Sequence, residues 1–298
     1  MITDLPANGS ALVLRGQRFH PGRPAVMAII NRTPDSFYAS ARDDDAALAA
    51  LDSAITAGAD IIDVGGVRAG QQGAWVDAAT EIRRVHGFLA AARAAFPDAI
   101  LSLDTWRSEV ARAVSSCGID LVNDTWAGHD SDLVSVAAEL GAGYVVSHTG
   151  GLAPRTDPVG ARYDPEPDGV VEDVVYRLRR GAAAAREAGV PDERILIDPT
   201  LDFGKTTRHS LRLLRATGTI AGLGFPVLQA ISRKDFVGET LGLPAAERLE
   251  GSLAATAIAA WLGASVFRTH DVAATRRTLD MVASIRGERP PVQAVRGE

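Results

Sequence analysis

The chain has 298 residues, a formal net charge of −6 and 46% hydrophobic residues. This composition is typical of a globular protein with a large core, and the acidic charge argues against a nucleic-acid-binding surface. Cys117 is the only cysteine, so an intrachain disulfide is excluded and a reducing compartment such as the cytoplasm is favoured. The N-terminal sequence has no basic segment followed by an apolar core, and no apolar run is long enough for a bilayer. We therefore expect neither a leader peptide nor a membrane partner.

Short β-branched strand candidates alternate with alanine-rich amphipathic stretches along the chain. Such alternation predicts parallel strands that are connected by crossover helices. Several of the strands lack polar alternation, as expected for strands that are covered on both faces. The eight predicted strands are residues 25–30, 60–64, 100–103, 121–122, 144–147, 195–197, 226–231 and 265–267.

The helical stretches between these strands mostly end close to a glycine. The predicted helices cover residues 46–57, 106–116, 131–140, 170–188 and 253–262. A repeated unit of helix, glycine and short strand predicts an α/β fold, the (β/α)8 TIM barrel. We place the barrel at residues 25–286, after an N-terminal extension at 1–24. This extension contains a short β-hairpin over residues 12–19 that is expected to cap the barrel bottom. Residues 287–298 read as a loose C-terminal tail.

A polar or charged residue follows nearly every predicted strand. Because a parallel barrel brings the C-terminal ends of its strands to one rim, we expect these side chains to surround a single site. Taken singly, an Asp or Asn after a strand is also a common turn or helix-capping residue. For Asp63, Asp124 and Asp271, this structural interpretation stays as open as a functional one.

The strand-end residues fall into two chemical groups. The first mixes donors and acceptors, which suits a flat heterocycle with amide, amino and ring-nitrogen edges. Its members are Asp104, Asn123, Asp198 and Lys234. The second offers cationic and neutral donors, which suit a phosphate or a diphosphate. Its members are Asn31, Arg68, Arg268 and His270. The amide oxygen of Asn31 is also a candidate ligand for Mg²⁺.

In chain order, these segments resemble the motifs of the dihydropteroate synthase family. Residues 31–37 (NRTPDSF) resemble N-V-T-P-D-S-F, and residues 63–66 (DVGG) resemble the start of D-I/V-G-G-E-S-T-R-P-G. Residues 102–105 (SLDT) and 123–124 (ND) resemble S-V-D-T and N-D-I/V. Residues 198–205 (DPTLDFGK), 232–234 (SRK) and 268–271 (RTHD) resemble D-P-G-I/L-G-F-G-K, S-R-K and R-V-H-D. Because the motifs keep the family order over nearly the whole chain, the sequence is identified as a divergent member of this family of pterin-binding TIM barrels.

The resemblance implies a role in folate biosynthesis, with 6-hydroxymethyl-7,8-dihydropterin diphosphate and p-aminobenzoate as substrates and Mg²⁺ as cofactor. Diphosphate leaves, and the amine attacks the exposed methylene to give 7,8-dihydropteroate. By the same resemblance, the first group of residues holds the pterin. The second group acts at the diphosphate, with Asn31 at the metal. The family is commonly dimeric, which implies a homodimer, and residues 253–262 and 273–285 are apolar enough to pair subunits.

The second loop departs most from the family pattern. The sequence V-R-A-G at residues 67–70 stands where the family has E-S-T-R-P-G, so two residues and both hydroxyls are missing. Arg68 remains a candidate anion ligand, but a displacement of about 1 Å costs roughly 10²-fold in rate. We therefore expect impaired synthase activity. A fully active synthase and a non-catalytic pterin- or sulfone-binding paralogue are the alternatives. Methyl transfer from a tetrahydrofolate to a corrinoid protein is disfavoured, since no diphosphate leaves in that reaction.

Other departures affect the walls of the site. Arg32 is either an extra phosphate ligand or a salt-bridge partner that alters its loop. Thr125 and Ser147 replace apolar residues, and losing such contacts typically costs about 1–3 kcal/mol each. Thr200 and Asp202 replace the two glycines of D-P-G-I/L-G-F. The segment 148–168 is either a lid or a mobile excursion, and its first residue, a histidine, is as readily a satisfied barrel-end residue as a ligand.

Overall fold

Eight parallel strands form the predicted barrel in this computed structural model, which describes residues 11–33, 44–68, 70, 75–157, 159–164 and 168–296. The strands are β3 (Ala25–Asn31), β4 (Ile61–Gly65), β5 (Ile100–Asp104), β6 (Leu121–Asn123), β7 (Gly143–Val146), β8 (Ile195–Ile197), β9 (Leu228–Ala230) and β10 (Val266–Thr269). Their hydrogen-bonded order is β8-β7-β6-β5-β4-β3-β10-β9. A parallel bridge from Ile197 to Val227 closes the ring, because the Ile197 N–H donates to the Pro226 carbonyl at 3.0 Å.

Helices cover the outside of the barrel and bury its outward-facing apolar side chains. They are α1 (Asp44–Thr56), α2 (Ala78–Ala95), α3 (Ser108–Ala113), α4 (Leu133–Glu139), α5 (Gly169–Glu187), α6 (Thr207–Arg215), α7 (Thr217–Ala221), α8 (Asp235–Leu241), α9 (Leu249–Trp261) and α10 (Val272–Ile285). The helix predicted at 106–116 is shorter than expected. It begins at Ser108 and ends at Ala113, and a 3₁₀ turn at Ser115–Cys117 follows. In the part of the chain described, no helix is long and apolar enough to cross a bilayer.

The N-terminal hairpin fills the lower end of the barrel, as the sequence predicts. Strands β1 (Leu12–Leu14) and β2 (Gln17–Phe19) are joined by Arg15 and Gly16, both with positive φ. This two-residue turn matches the right-handed twist of the strands. Leu12, Leu14 and Phe19 are buried against the first interior residues of the barrel strands. The lower end is therefore packed with apolar side chains.

Phe19→Ala tests this plug. Phe19 is fully buried, and removing a buried phenyl ring typically costs about 3–5 kcal/mol in the free energy of unfolding. We expect a clear fall in the urea midpoint, measured by circular dichroism. Arg18→Ala, on the exposed side of the same strand, is the control and should leave the midpoint nearly unchanged. Equal midpoints for both variants would contradict the plug.

Candidate functional site

Strand alternation places the polar strand-end residues inside the barrel. Side chains two positions apart on a strand point to the same face, so a residue two beyond an interior apolar residue also faces inward. Ile61, Ile100, Leu121, Leu196 and Val266 belong to the buried lower layer. Two or four residues further along the same strands are Asp63, Asp104, Asn123, Asp198, Arg268 and His270. An apolar floor therefore lies beneath a polar upper layer.

A buried ion-pair network centred on Arg268 organises this upper layer. The Arg268 Nε lies 2.6 Å from the Asp63 Oδ2, and its Nη2 lies 2.5 Å from the Asp104 Oδ2. Asp63 also accepts hydrogen bonds from the Ser102 hydroxyl (2.6 Å) and the Asn123 amide (3.1 Å). Burial opposes the charge on Arg268, but Asp63 and Asp104 raise the pKa of the guanidinium overall. Asp63 is thus the buried ionic partner of Arg268. This role within the site replaces the interpretation of Asp63 as a turn or helix-capping residue.

The pKa of the Asp104 carboxyl lies close to neutral pH. Burial raises the pKa of Asp104 to about 7, although the Arg268 guanidinium acts in the opposite direction. The Thr125 hydroxyl donates to its Oδ1 at 3.3 Å. The polar residue that replaces an apolar wall residue of the family therefore has a hydrogen-bond partner inside the site.

Asp198 and Lys234 form the other side of the upper layer. The Thr200 N–H donates to the Asp198 Oδ1 at 2.7 Å, and the Lys234 ammonium donates to the Leu201 carbonyl. Burial raises the pKa of Asp198, and Lys234 is the strongest charge opposing that rise. Arg268 also interacts electrostatically with Asp198. Of the four residues predicted to hold a pterin, Asp104 therefore pairs with Arg268, Asp198 interacts with it electrostatically and Asn123 reaches it through Asp63, while Lys234 lines the cavity described next.

A cavity of about 370 Å³ opens above this network. Three residues predicted for the diphosphate, Arg68, Arg268 and His270, line it together with Lys234, whereas Asn31 is not among its lining residues. Burial, followed by the charge of Arg268, lowers the pKa of His270 to about 4. At pH 7 this imidazole is neutral, so it offers a hydrogen bond to an anion instead of a charge.

Asn31 ends β3 beside the start of the second loop, where its backbone pairs in register with Gly65. Its neighbour Arg32 lies against α2, because its Nε donates to the Arg84 carbonyl at 3.4 Å and its guanidinium lies 5.1 Å from the Phe88 ring centre. These contacts direct Arg32 to the helix layer and disfavour its interpretation as a phosphate ligand. The rest of the NRTPDSF motif after residue 33 lies outside the described residues, as does residue 69 of the second loop.

His148 is a satisfied histidine at the end of β7. Its ring Nε2 lies 2.8 Å from the Asp173 Oδ2, and its Nδ1 lies 3.0 Å from the Lys205 ammonium nitrogen. Lys205 also donates to the carbonyls of His148 and Phe203, both at 2.7 Å. Burial, followed by Lys205, lowers the pKa of His148 to about 4. The network ties β7 and α5 to the loop after β8, and His148 has no side-chain position left for a ligand.

The segment after His148 reaches over the mouth of the barrel. The Arg155 Nε donates to the Gly70 carbonyl at 3.2 Å, and Thr156 lines the cavity beside Arg68. The Tyr163 hydroxyl donates to the Gly204 carbonyl at 2.6 Å. These contacts join the segment to the loop after β4 and to the loop after β8, and they favour the lid interpretation.

Two residues adopt the backbone conformation that glycine would adopt in the resembling motif. Thr200 has φ +52° and Asp202 has φ +69°. The left-handed region costs a non-glycine residue roughly 1–2 kcal/mol. Thr200 recovers part of this cost, since its hydroxyl accepts from the His148 N–H and donates to the Asp198 carbonyl, both at 3.0 Å. The turn after β8 is therefore maintained without its glycines.

An aromatic wall was missed in the sequence. The rings of Trp126 and Phe203 meet edge to face with their centres 5.4 Å apart, and both line the cavity. Behind them, Trp126 packs in a small apolar cluster with Val67 and Trp106. The sequence signal for this wall is the position of its two residues, since Phe203 lies inside the D-P-x-x-x-F-G-K motif and Trp126 is the second residue after N-D.

Asp124 and Asp271 have structural roles. Asp124 accepts hydrogen bonds from the N–H groups of its own turn, and Asp271 pairs with Arg233.

Comparisons with known proteins show the family and the fold of this chain. The family described as pterin binding enzyme matches residues 27–270. An inactive dihydropteroate synthase 2 from Mycobacterium leprae (strain TN) is 52% identical over 287 residues, which are 96% of this chain and 98% of the relative. A dihydropteroate synthase from Streptococcus pyogenes is 36% identical over 271 residues, 89% of this chain and 96% of the relative. The solved structure of Xanthomonas albilineans dihydropteroate synthase with 4-aminobenzoic acid matches with a TM-score of 0.81 and 34% identity, covering 93% of this chain and 98% of that one.

The pKa of Asp104 gives a direct test of the network. Because it lies above the ordinary aspartate value, the folded state binds more protons than the unfolded chain between about pH 4 and pH 7. Stability is therefore expected to fall as the pH rises through this window. Carboxyl ¹³C NMR should show one aspartate signal titrating near pH 7, and Asp104→Asn should remove it. Titration of every aspartate signal below pH 5 would contradict the assignment.

Proposed function

The chain belongs to the family of pterin-binding enzymes, and we propose that it binds 6-hydroxymethyl-7,8-dihydropterin diphosphate and condenses it slowly with p-aminobenzoate. One observation carries this proposal. Asp104 pairs with the Arg268 guanidinium, Asn123 joins it through Asp63, Asp198 interacts with it electrostatically, and Lys234 lines the same cavity at the barrel mouth as Arg268. In barrels of this kind, the mouth at the C-terminal ends of the strands is where chemistry takes place.

The polar layer suits the edge of a pterin. A pterin presents an amino group and a ring N–H as donors, next to carbonyl and ring-nitrogen acceptors. The carboxyls of Asp104 and Asp198 supply acceptors, and the amide of Asn123 and the ammonium of Lys234 supply donors. Hydrogen bonds of this kind with an ionised partner are stronger and more directional than those between neutral groups.

The same residues suit the proposed reaction. The bond between the pterin methylene carbon and the diphosphate oxygen breaks, the amine nitrogen attacks the methylene, and the amine then loses a proton. Carboxylates beside the pterin stabilise the positive charge that develops on the methylene. Arg68, Arg268 and His270 face the same cavity and supply donors to the departing anion. No covalent bond to the protein is required.

The residues of the site also fit Mg²⁺, although they offer it few protein ligands. No group of three or more His, Cys, Asp or Glu side chains in the described part of the chain is arranged to hold a metal ion. Mg²⁺ commonly keeps several water ligands and binds through few protein groups together with substrate phosphates. We propose that the Asn31 amide oxygen is such a protein ligand, and that bound Mg²⁺ neutralises charge on the diphosphate.

Slow turnover follows from the groups that meet the diphosphate. Arg68 lies in a loop two residues shorter than the family pattern, and its side chain is exposed. Arg268 is already held by two carboxylates, and His270 is neutral at pH 7. A relative named an inactive synthase at 52% identity further supports impaired activity.

We further propose a cytoplasmic homodimer. Cys117 is buried and unpaired, which suits a reducing compartment. On α9 and α10, the apolar side chains of Ile258, Met281 and Ile285 are more than half exposed. Exposed apolar side chains that lie together on a surface favour contact with another protein chain. Sedimentation analysis of the purified chain tests the dimer.

Turnover separates the proposed function from its alternatives. With pterin diphosphate, p-aminobenzoate and Mg²⁺, we expect diphosphate release about 10²-fold slower than that of a working synthase, because the loop that carries Arg68 is two residues shorter and a displacement of about 1 Å costs that much. A coupled assay for released diphosphate measures this rate. A rate equal to that of a working synthase would show full activity, whereas pterin binding without any release would show a binding protein.

Asp104→Asn tests the pterin site itself. A charge-assisted hydrogen bond typically contributes about 1.5–3 kcal/mol, so we expect pterin affinity to fall roughly 10- to 100-fold. Isothermal titration with 6-hydroxymethylpterin measures the change. Asp98→Asn, which replaces an exposed aspartate before the same strand, is the matched control. Unchanged affinity in the Asp104 variant would show that the pterin site is misassigned.

A further inference from the structure

A second cavity, of about 450 Å³, lies between α6 and residues 159–164 of the segment that reaches over the barrel mouth. It shares no lining residue with the cavity at the mouth. Four arginines line it: Arg162 comes from the segment, and Arg208, Arg212 and Arg215 come from α6. Such a concentration of guanidinium groups is unexpected in a chain whose formal net charge is −6.

Helical periodicity places the three arginines of α6 in a row. Residues four and seven positions apart lie on the same face of a helix, and Arg208, Arg212 and Arg215 have this spacing. The opposite face is buried through Leu213 and Leu214. With a rise of about 1.5 Å per residue, the row extends roughly 10 Å along the helix axis. One wall of the cavity is therefore a line of cationic side chains.

Nearby acidic groups offset only part of this charge. Asp164 also lines the cavity, and Asp168 accepts from the Arg212 Nε at 2.8 Å. Burial, followed by the charge of Lys205, lowers the pKa of His209, so this lining residue is neutral at pH 7. Four guanidiniums against these two carboxylates leave a formal charge of +2 among the described residues. The cavity therefore attracts anions.

Helix stability explains only some of these arginines. A cation in the last turn interacts favourably with the helix dipole, and Arg212 and Arg215 lie there. Arg208 lies in the first turn, where the same dipole disfavours a cation. In the part of the chain that the structure describes, neither Arg162 nor Arg208 has a hydrogen-bond or ion-pair partner. These two side chains line the cavity without a role in holding the fold together.

Linked phosphoryl groups suit this arrangement. A planar guanidinium can donate two parallel hydrogen bonds to the oxygens of one phosphoryl group. A chain of two or more phosphoryl groups follows a row of roughly 10 Å better than a single phosphate does. Arg162, Arg208 and Arg215 are exposed, so such a molecule reaches them without passing through the barrel mouth.

We propose that this cavity is a second binding site, which takes a small molecule that carries two or more linked phosphoryl groups. The bound anion connects Arg162 to α6 and so holds residues 159–164 in place. The neighbouring Tyr163 hydroxyl donates to the Gly204 carbonyl at 2.6 Å, which joins the same residues to the loop after β8. Binding at this outer cavity therefore stabilises the segment over the barrel mouth. The proposal does not depend on the synthase reaction.

Binding of inorganic tripolyphosphate to the full chain tests the site. Isothermal titration at low ionic strength is expected to show binding about tenfold tighter than that of inorganic phosphate, because more guanidinium groups are engaged. Arg208→Ala should weaken tripolyphosphate binding roughly tenfold, and the double variant Arg208→Ala/Arg215→Ala should weaken it further. Added salt should also weaken binding, since exposed charges are screened.

Arg179→Ala is the matched control, because Arg179 is an exposed arginine of α5 that does not line the cavity. It should bind tripolyphosphate like the wild type. Arg68→Ala separates the two cavities, since Arg68 lines the barrel mouth. Binding that is lost in Arg68→Ala and kept in the double variant would place the anion at the mouth and overturn the proposal. So would no binding to the wild type, equal affinities for phosphate and tripolyphosphate, or an equal loss in Arg179→Ala.

Trypsin cleavage after Arg162 tests the contact between the anion and the segment. Saturating tripolyphosphate should slow this cleavage several-fold in the wild type and leave it unchanged in the double variant. Unchanged cleavage of the saturated wild type would overturn the stabilisation of the segment. A chain that binds tripolyphosphate in this way but releases no diphosphate from the pterin substrate would contradict the proposed function and leave the outer site standing.

Discussion

The guanidinium of Arg268, held between the carboxyls of Asp63 and Asp104, is the interaction on which the rest of the site depends. A buried charge is tolerated only when it is paired and hydrogen bonded, and removing one partner leaves the other uncompensated. Asn123 and Ser102 share Asp63 with the arginine, so four strands meet through one cation. The network gives the barrel mouth a fixed donor and acceptor pattern before any ligand arrives.

This pairing also has a chemical cost for an anionic leaving group. A guanidinium that already satisfies two carboxylates has fewer hydrogens to offer a diphosphate, and the neighbouring His270 carries no charge at pH 7. Recognition of the heterocycle and stabilisation of the anion therefore compete for the same cation. In the proposed reaction, the changed sequence of the second loop therefore affects the departure of the diphosphate, which is the step with the fewest available positive charges.

Strand periodicity made much of the fold and the general location of the site predictable. Apolar runs that end in Asp, Asn, Arg or Lys placed the eight strands within a few residues, since parallel strands in a barrel have no polar alternation to confuse the pattern. The resemblance to known motifs supplied the grouping of Asp104, Asn123, Asp198 and Lys234. The pairing of Arg268 with Asp63 joins residues 205 positions apart, which local patterns do not encode. The role of Trp126 in the cavity wall was missed for the same reason, because it depends on contacts between loops from different strands.

The apolar plug formed by Leu12, Leu14 and Phe19 leaves the upper mouth as the route to the polar layer. In the proposed function, a heterocycle against Asp104 would lie at the inner end of this route, and a second molecule beside Phe203 would lie nearer solvent. The inner molecule would then have to arrive before the outer one. A barrel that is closed at its base in this way would set the order of ligand binding through its shape alone.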